Sequence, residues 1–192
     1  MRETARGAES TVMSRSRNVL LRRAAWIAAV GLVVACLAVF ELPVEALVNA
    51  AGCLVLVAVT VTDLERRIVP NRIIVPALVA ALVVQTVRDP SIEWVLAAIG
   101  AGGFFLVAAL VYPAGMGMGD VKLAAFLGAW LGSSVVVALF AGSLLAFVPA
   151  AALLVWKGAS ARKVGLPFAP FLAAGAVVAL FWGEPTLDLW LG

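Results

Sequence analysis

The chain has 192 residues, of which 64% are hydrophobic and only 13% are charged. Soluble domains are about 45–50% apolar, so this excess excludes a single water-soluble core and indicates a surface covered by lipid. The net charge of +3 is carried by residues clustered between apolar runs, which favours membrane topology over nucleic-acid binding. A transmembrane barrel is excluded because the chain lacks short segments of alternating polarity.

Taken in chain order, uncharged stretches between charged residues predict the membrane-spanning helices, because each span needs about 20 predominantly apolar residues. The run from 123 to 156 is too long for one span, and Gly132-Ser133-Ser134 marks the predicted break within it. The pattern therefore predicts an all-α, polytopic helical membrane protein with about seven transmembrane helices. Their predicted ranges are roughly 24–40, 45–62, 72–88, 93–112, 119–131, 134–156 and 165–183.

Basic residues predict how the chain is threaded, since cytoplasmic loops carry an excess of lysine and arginine. With the N-terminus in the cytoplasm and seven spans, every basic residue except Arg88 lies on the cytoplasmic side. Residues 1–23 are then a basic cytoplasmic arm, expected to lie disordered on anionic lipid headgroups, and residues 24–192 form the membrane-embedded domain. Asp63 ends the second span and Asp120 begins the fifth, both on the cytoplasmic side, so the two carboxylates could meet.

Ionisable groups at membrane depth are costly and usually functional, which makes Asp63 and Asp120 candidate catalytic residues of a membrane aspartic protease. In such enzymes two carboxylates share one proton: the ionised one takes a proton from water and the protonated one polarises the scissile carbonyl. Because the pair titrates as a unit, the base and the acid are not assigned to individual residues. On physics alone Asp63 could equally be an ordinary boundary charge, like the acids that flank other spans, Glu41, Glu45, Glu93 and Glu184.

Glycine and turn-forming residues flank both aspartates. Gly117 and Gly119 let the chain leave helical geometry and let a substrate backbone approach closely, although a simple loop before a helix would explain the glycines alone. Non-helical backbone at membrane depth is tolerated only where it is buried or lines a wet cavity, and a protease needs such a cavity for its water. Pro70 prevents the preceding helix from continuing, and Asn71 is a good N-cap for the next one.

Three stretches resemble the type IV prepilin peptidase family, which consists of membrane aspartic proteases of the GxGD group. The stretch 63–71 has an aspartate followed a few residues later by Pro-Asn. The stretch 117–123, Gly-Met-Gly-Asp-Val-Lys-Leu, matches the family's GxGDxKL signature residue for residue. The stretch 165–175 is similar to the family's closing PFGPFLALG-like segment, with Ala169 where glycine is usual.

The resemblance implies catalytic roles for Asp63 and Asp120. No metal and no cofactor is expected, because the chain has no histidine and its two cysteines form no CxxC pair. The resemblance also implies a prepilin or pilin-like substrate, cleaved at the cytoplasmic face of the inner membrane between a short charged leader and an apolar helix. Lys122 would hold substrate carboxylates or tune Asp120, and a plain positive-inside anchor is the equally good alternative. The expected substrate-binding residues are Gly117, Gly119, Lys122, Pro70 and Asn71.

Longer family members also carry a cytoplasmic cysteine-rich zinc domain and methylate the new N-terminus. This chain has only Cys36 and Cys53, both inside apolar runs, so it resembles the short, peptidase-only members and methylation is doubtful. Two other functions remain open from the residues. In an ion-coupled transporter the aspartates would bind cations, and in a non-catalytic membrane scaffold they would have no chemical role.

Overall fold

The computed structural model describes residues 2–111, 116–157 and 167–191. Within them the chain forms seven α-helices and a short 3-10 turn, and no strand, so the all-α prediction is confirmed. The helices are α1 Arg2–Val39, α2 Pro43–Arg66, α3 Asn71–Arg88, α4 Glu93–Val111, α5 Met118–Leu131, α6 Val135–Lys157 and α7 Ala169–Leu191. The 3-10 turn, Gly132–Ser134, separates α5 from α6.

Among the described residues, five segments are long and apolar enough to cross a membrane, and 169–183 adds a shorter apolar helix. The five are Asn18–Val39, Pro43–Arg66, Asn71–Arg88, Glu93–Val111 and Met118–Trp156. Large apolar side chains such as Trp26, Phe104 and Phe140 are exposed, as a lipid-facing surface requires. The chain is therefore a polytopic helical membrane protein, while the count of seven spans and the cytoplasmic N-terminus stay predictions.

The N-terminal segment differs from its prediction. Residues 2–23, expected to be disordered, continue the first apolar helix without interruption, and α1 covers 38 residues. This stretch has no proline, and six of its 22 residues are arginine, a good helix former, with two each of the good helix formers alanine, glutamate and leucine. A helix already nucleated by the apolar span can grow through such residues without a second nucleation step.

The predicted break at Gly132 is confirmed. Gly132 has a φ of +58°, a left-handed conformation that glycine adopts without steric cost. A Cβ at this position would lie 2.8 Å from Oε1 of Glu93 and 2.9 Å from the ring of Trp94. Both the backbone conformation and the close approach of α4 therefore require glycine here.

The chain divides into two units, residues 1–61 and residues 62–192. In the first unit, Cys36 of α1 and Cys53 of α2 are fully buried, and their sulfur atoms lie 3.9 Å apart as free thiols. Both cysteines are thus small buried residues of a helix contact, as expected for apolar helices. The second unit contains both candidate catalytic aspartates.

Small residues allow the helices of the second unit to pack closely, as is usual in membranes. The most extensive contacts join α4 to α5 and α6 to α7. Where α4 crosses α5, a Cβ on Gly128 would overlap the backbone of Ala97. Where α6 crosses α7, a Cβ on Gly175 would overlap the carbonyl oxygen of Ala138.

The contacts along α6 and α7 fix the directions of these helices. Gly183, near the end of α7, lies against Ser134 just before α6, and Leu172, near the start of α7, lies against Gly142 farther along α6. The two helices are therefore antiparallel. The first residue of α7, Ala169, contacts Asp63, so α7 begins at the end of the unit where Asp63 lies.

Candidate active site

Asp63 lies in the last turn of α2, where the helix ends in a left-handed cap. Arg67 has a φ of 55°, and its backbone N–H donates to the carbonyl oxygen of Asp63 over 2.7 Å. This single bond defines the αL type of C-terminal cap, here with arginine in place of the usual glycine. The positive charge of Arg67 is also close enough to act on the Asp63 carboxylate.

The Asp63 side chain is only 6% exposed. Its Oδ2 accepts a hydrogen bond of 3.3 Å from the backbone N–H of Ala169, 106 residues later in the chain. Ala169 is the first residue of α7, where backbone N–H groups have no partner within their own helix. The buried carboxylate is thus satisfied by the start of another helix.

Asp120 lies in the first turn of α5 and is half-buried. Its Oδ2 accepts a hydrogen bond of 3.3 Å from the backbone N–H of Gly117, the residue before the helix. A carboxylate in the first turn of a helix is stabilised by the partial positive charge there. The Gly-Met-Gly-Asp segment therefore forms the N-terminal turn of α5, and its aspartate accepts a hydrogen bond within that turn.

The two carboxylates lie close enough for the charge of Asp63 to act on Asp120. They come from opposite kinds of helix end: Asp63 from the C-terminal turn of α2 and Asp120 from the N-terminal turn of α5. The start of α7 contacts Asp63 through the backbone N–H of Ala169. Like charges held together at membrane depth are costly unless one carboxyl binds a proton, which is the state that acid–base hydrolysis uses.

The two glycines of the motif have different surroundings. A Cβ on Gly119 would lie 2.8 Å from Cβ of Val69, so Gly119 allows the segment before α3 to pack directly on α5. Gly117 is exposed, and a Cβ there would be in ordinary contact, 3.7 Å from Oδ2 of Asp120. The expected approach of substrate at both glycines stays a prediction, and at Gly119 the structure adds a packing role within the protein.

Lys122 and Asn71 are brought together. Nζ of Lys122 donates a 2.7 Å hydrogen bond to Oδ1 of Asn71, which joins the second turn of α5 to the first residue of α3. Asn71 is not the N-cap that its sequence predicted. Pro70 occupies that position, with no side-chain cap, and its carbonyl accepts the N–H groups of Ile73 and Ile74. Because Pro70 has extended backbone there, the helix begins one residue earlier than expected and the Asn71 side chain is available for Lys122.

Sequence reasoning assigned no chemical role to the start of α7, which proves to contact Asp63. The carbonyl of Phe168 accepts the N–H groups of Phe171 and Leu172, and its ring lies 6.0 Å from the ring of Phe105 in α4. The available signal was the proline pair Pro167 and Pro170, since proline favours the first turn of a helix. Residues 165 and 166 of the same predicted stretch lie outside the described residues.

Polar residues at the opposite end of α5 likewise have no motif that marks them in the sequence. Gln85 is only 5% exposed, and its Nε2 donates to the carbonyl oxygen of Trp130 over 2.7 Å. Oε1 of Glu93 accepts the N–H of Ser133 over 2.8 Å. With 14 residues, α5 is about 21 Å long, shorter than the hydrocarbon core of about 30 Å, so its last backbone groups need partners from the protein.

Comparison with known proteins places this site in a family. The family model described as "Type IV leader peptidase family" matches residues 50–155, which include both aspartates. A prepilin leader peptidase/N-methyltransferase of Bacillus subtilis (strain 168) is 34% identical over 142 residues, covering 71% of this chain and 56% of the relative. A protein of the same name from Burkholderia pseudomallei (strain 1026b) is 33% identical over 162 residues, covering 78% and 50%.

A third protein of that name, from Aeromonas salmonicida (strain A449), is 34% identical over 139 residues, covering 68% of this chain and 47% of the relative. The chain thus spans about half the length of the curated relatives it matches. No solved structure gives a significant match. The family match covers more than half of the chain and contains both motif aspartates, and this protein belongs to the type IV leader peptidase family.

Proposed function

We propose that this chain is an aspartic endopeptidase of the inner membrane that removes the leader from a prepilin or pilin-like protein at the cytoplasmic face. The observation that carries the proposal is the pairing of two carboxylates. Asp63 and Asp120 come from different helices of one unit, and Asp63 lies close enough for its charge to act on Asp120. The names of the relatives support the choice of substrate.

Each aspartate has one oxygen engaged by a backbone N–H, which leaves the pair able to share a proton. Water attacks the scissile carbonyl carbon and gives a proton to the ionised carboxylate, while the protonated carboxyl donates to the carbonyl oxygen. When the tetrahedral intermediate collapses, the C–N bond breaks and the leaving amine takes a proton from the pair. Preorganised hydrogen bonds keep the two carboxyls in place through both steps.

The substrate would enter at the exposed side of the pair. Gly117 and Met118 are exposed there, and Asn71 and Arg72 begin the neighbouring helix α3. An extended leader can approach a glycine backbone more closely than any other residue allows. Lys122 is held by Asn71, so it presents a fixed positive charge beside the site. Pro70 fixes the turn that sets this helix start.

The proposal is tested by cleavage of a pilin-like substrate in membranes or proteoliposomes. Asp63→Asn and Asp120→Asn are each expected to abolish cleavage. Asp89→Asn, an exposed aspartate at the end of α3, is the matched control and is expected to cleave normally. Near-normal turnover by either of the first two variants contradicts the catalytic pair. Absence of cleavage by the native chain favours a transporter or scaffold.

Of the two activities in the relatives' names, we propose only the peptidase activity for this chain. Their names also include N-methyltransferase, an activity that the sequence made doubtful here. The mass of the mature substrate separates the two activities, since methylation adds one methyl group to the new N-terminus. We expect the unmethylated mass when the purified chain acts with a methyl donor present.

A further inference from the structure

The start of α7 offers a hydrogen-bond donor to one catalytic candidate only. The backbone N–H of Ala169 donates to Oδ2 of Asp63 over 3.3 Å, and both residues are buried. N–H groups in the first turn of a helix lack a partner in their own helix, and they point along the positive end of its dipole. A buried carboxylate is a well-matched acceptor for such a group.

The donor is held firmly. Leu172, one turn into α7, is fully buried, and its N–H closes the first turn on the carbonyl of Phe168. The Phe168 ring contacts the ring of Phe105, which is itself buried in α4. The position of the Ala169 N–H is therefore fixed by α4 as well as by α7. A carboxylate bonded to it has little freedom to rotate away.

We propose that the backbone N–H of Ala169 is a positioning group. It holds the Asp63 carboxylate in the orientation in which it acts together with Asp120 in hydrolysis. This inference rests on the proposed function and names an additional part of the same site. Residue 169 lies outside the matched family range, 50–155. A purely structural alternative is that Asp63 only satisfies the start of α7, in which case loss of the bond changes stability and leaves turnover per folded molecule intact.

Proline at residue 169 tests the proposal. Proline is favoured at the first position of a helix, so α7 can still begin there, but the N–H is lost and a ring carbon takes its place. We expect Ala169→Pro to lower kcat by about 10²-fold, the effect of a misplacement of about 1 Å, with KM little changed. Ala169→Gly keeps the N–H and is expected to retain most of the turnover that the proline variant loses.

Pro170→Ala is the matched control, because it changes the same helical turn without removing the N–H of residue 169. It is expected to cleave like the native chain. A folded Ala169→Pro variant with native kcat overturns the proposal. Equal losses of kcat in Ala169→Pro and Pro170→Ala also overturn it, because the effect would then come from the turn as a whole.

Hydrogen–deuterium exchange provides a readout that does not depend on cleavage. In Asp63→Ala the amide at residue 169 loses its acceptor, so it should exchange faster than in the native chain, measured in a peptide that begins at least three residues before 169 so that this amide retains its label. Unchanged exchange overturns the inference, even if Ala169→Pro fails to fold. Should the native chain cleave no pilin-like substrate, the proposed function fails by itself, while exchange still reports whether this bond exists.

Discussion

The two ends of α5 are both polar, yet their polar groups are used differently. At the far end, Gln85 and Glu93 bond to backbone groups of Trp130 and Ser133, and each side chain completes a helix end or turn. At the near end, backbone N–H groups donate to Asp120 and Asp63, and there the charge of Asp63 also acts on Asp120. One polar side chain is enough to cap a helix end, so a second carboxylate beside it is not explained by capping. Close like charges, more than polarity alone, therefore distinguish the candidate active site from a structural helix end.

Removing both carboxylate charges at the near end of α5 should have the largest effect on cleavage. Residues of one catalytic unit act non-additively, so the double variant Asp63→Asn/Asp120→Asn should cleave no worse than either single variant, each being reduced on the order of 10³-fold or more. Thermal unfolding of the singles in detergent should be unchanged or shifted upward, because repulsion is relieved. A clear loss of stability would indicate that the aspartates are structural, like Gln85.

Replacing a polar side chain at the far end of α5 should lower stability and leave cleavage intact, the opposite of the result expected for the two aspartates. Gln85→Leu removes the bond to the carbonyl of Trp130 and the bond that Gln85 accepts from Arg88, and we expect a loss of about 1–3 kcal/mol in the free energy of unfolding. Cleavage per folded molecule should be retained. The neighbouring exposed residue gives the control Thr86→Val, for which we expect no comparable loss. Loss of kcat in a fully folded Gln85→Leu protein would show that the two ends are coupled.

The two motif glycines at the near end should respond differently to the addition of a methyl group. Gly119→Ala brings a Cβ to 2.8 Å from Val69, and such overpacking costs about 1–3 kcal/mol, so we expect lower stability and lower activity. Gly117→Ala meets only an ordinary contact and should fold normally. An increased KM in Gly117→Ala, measured with the same substrate, would support substrate approach at this residue. Equal stability of the two variants would contradict the packing assigned to Gly119.

The smallest expected effect concerns the exposed pair formed by Lys122 and Asn71. A single exposed hydrogen bond of this kind contributes about 1 kcal/mol or less, so Asn71→Ala should leave the thermal midpoint nearly unchanged. Lys122→Met removes the charge as well and should raise KM for a substrate with acidic residues near the scissile bond. Lys122→Arg is the control that keeps the charge. An unchanged KM in Lys122→Met would leave the lysine as a topological anchor.

Most helices could be predicted because charge and apolar length define membrane spans directly, and Gly132 marked the break between α5 and α6. The N-terminal helix could not, because a polar segment gives no apolar signal even when its residues are good helix formers. Asp63 and Asp120 could be predicted as a pair, because the sequence puts both aspartates at the same predicted depth in the membrane. The contact of Ala169 with Asp63 could not, because a backbone donor is present in nearly every residue and no side chain marks it.

The buried thiols of Cys36 and Cys53 have a practical consequence for topology mapping. Both are inaccessible in the folded chain, so a membrane-impermeant maleimide should leave the native protein unlabelled. A single cysteine introduced at Arg72 or at Arg88, the exposed residues near the two ends of α3, then becomes the reporter. Labelling of the first only from the cytoplasmic side, and of the second only from the outside, would establish the predicted direction of insertion.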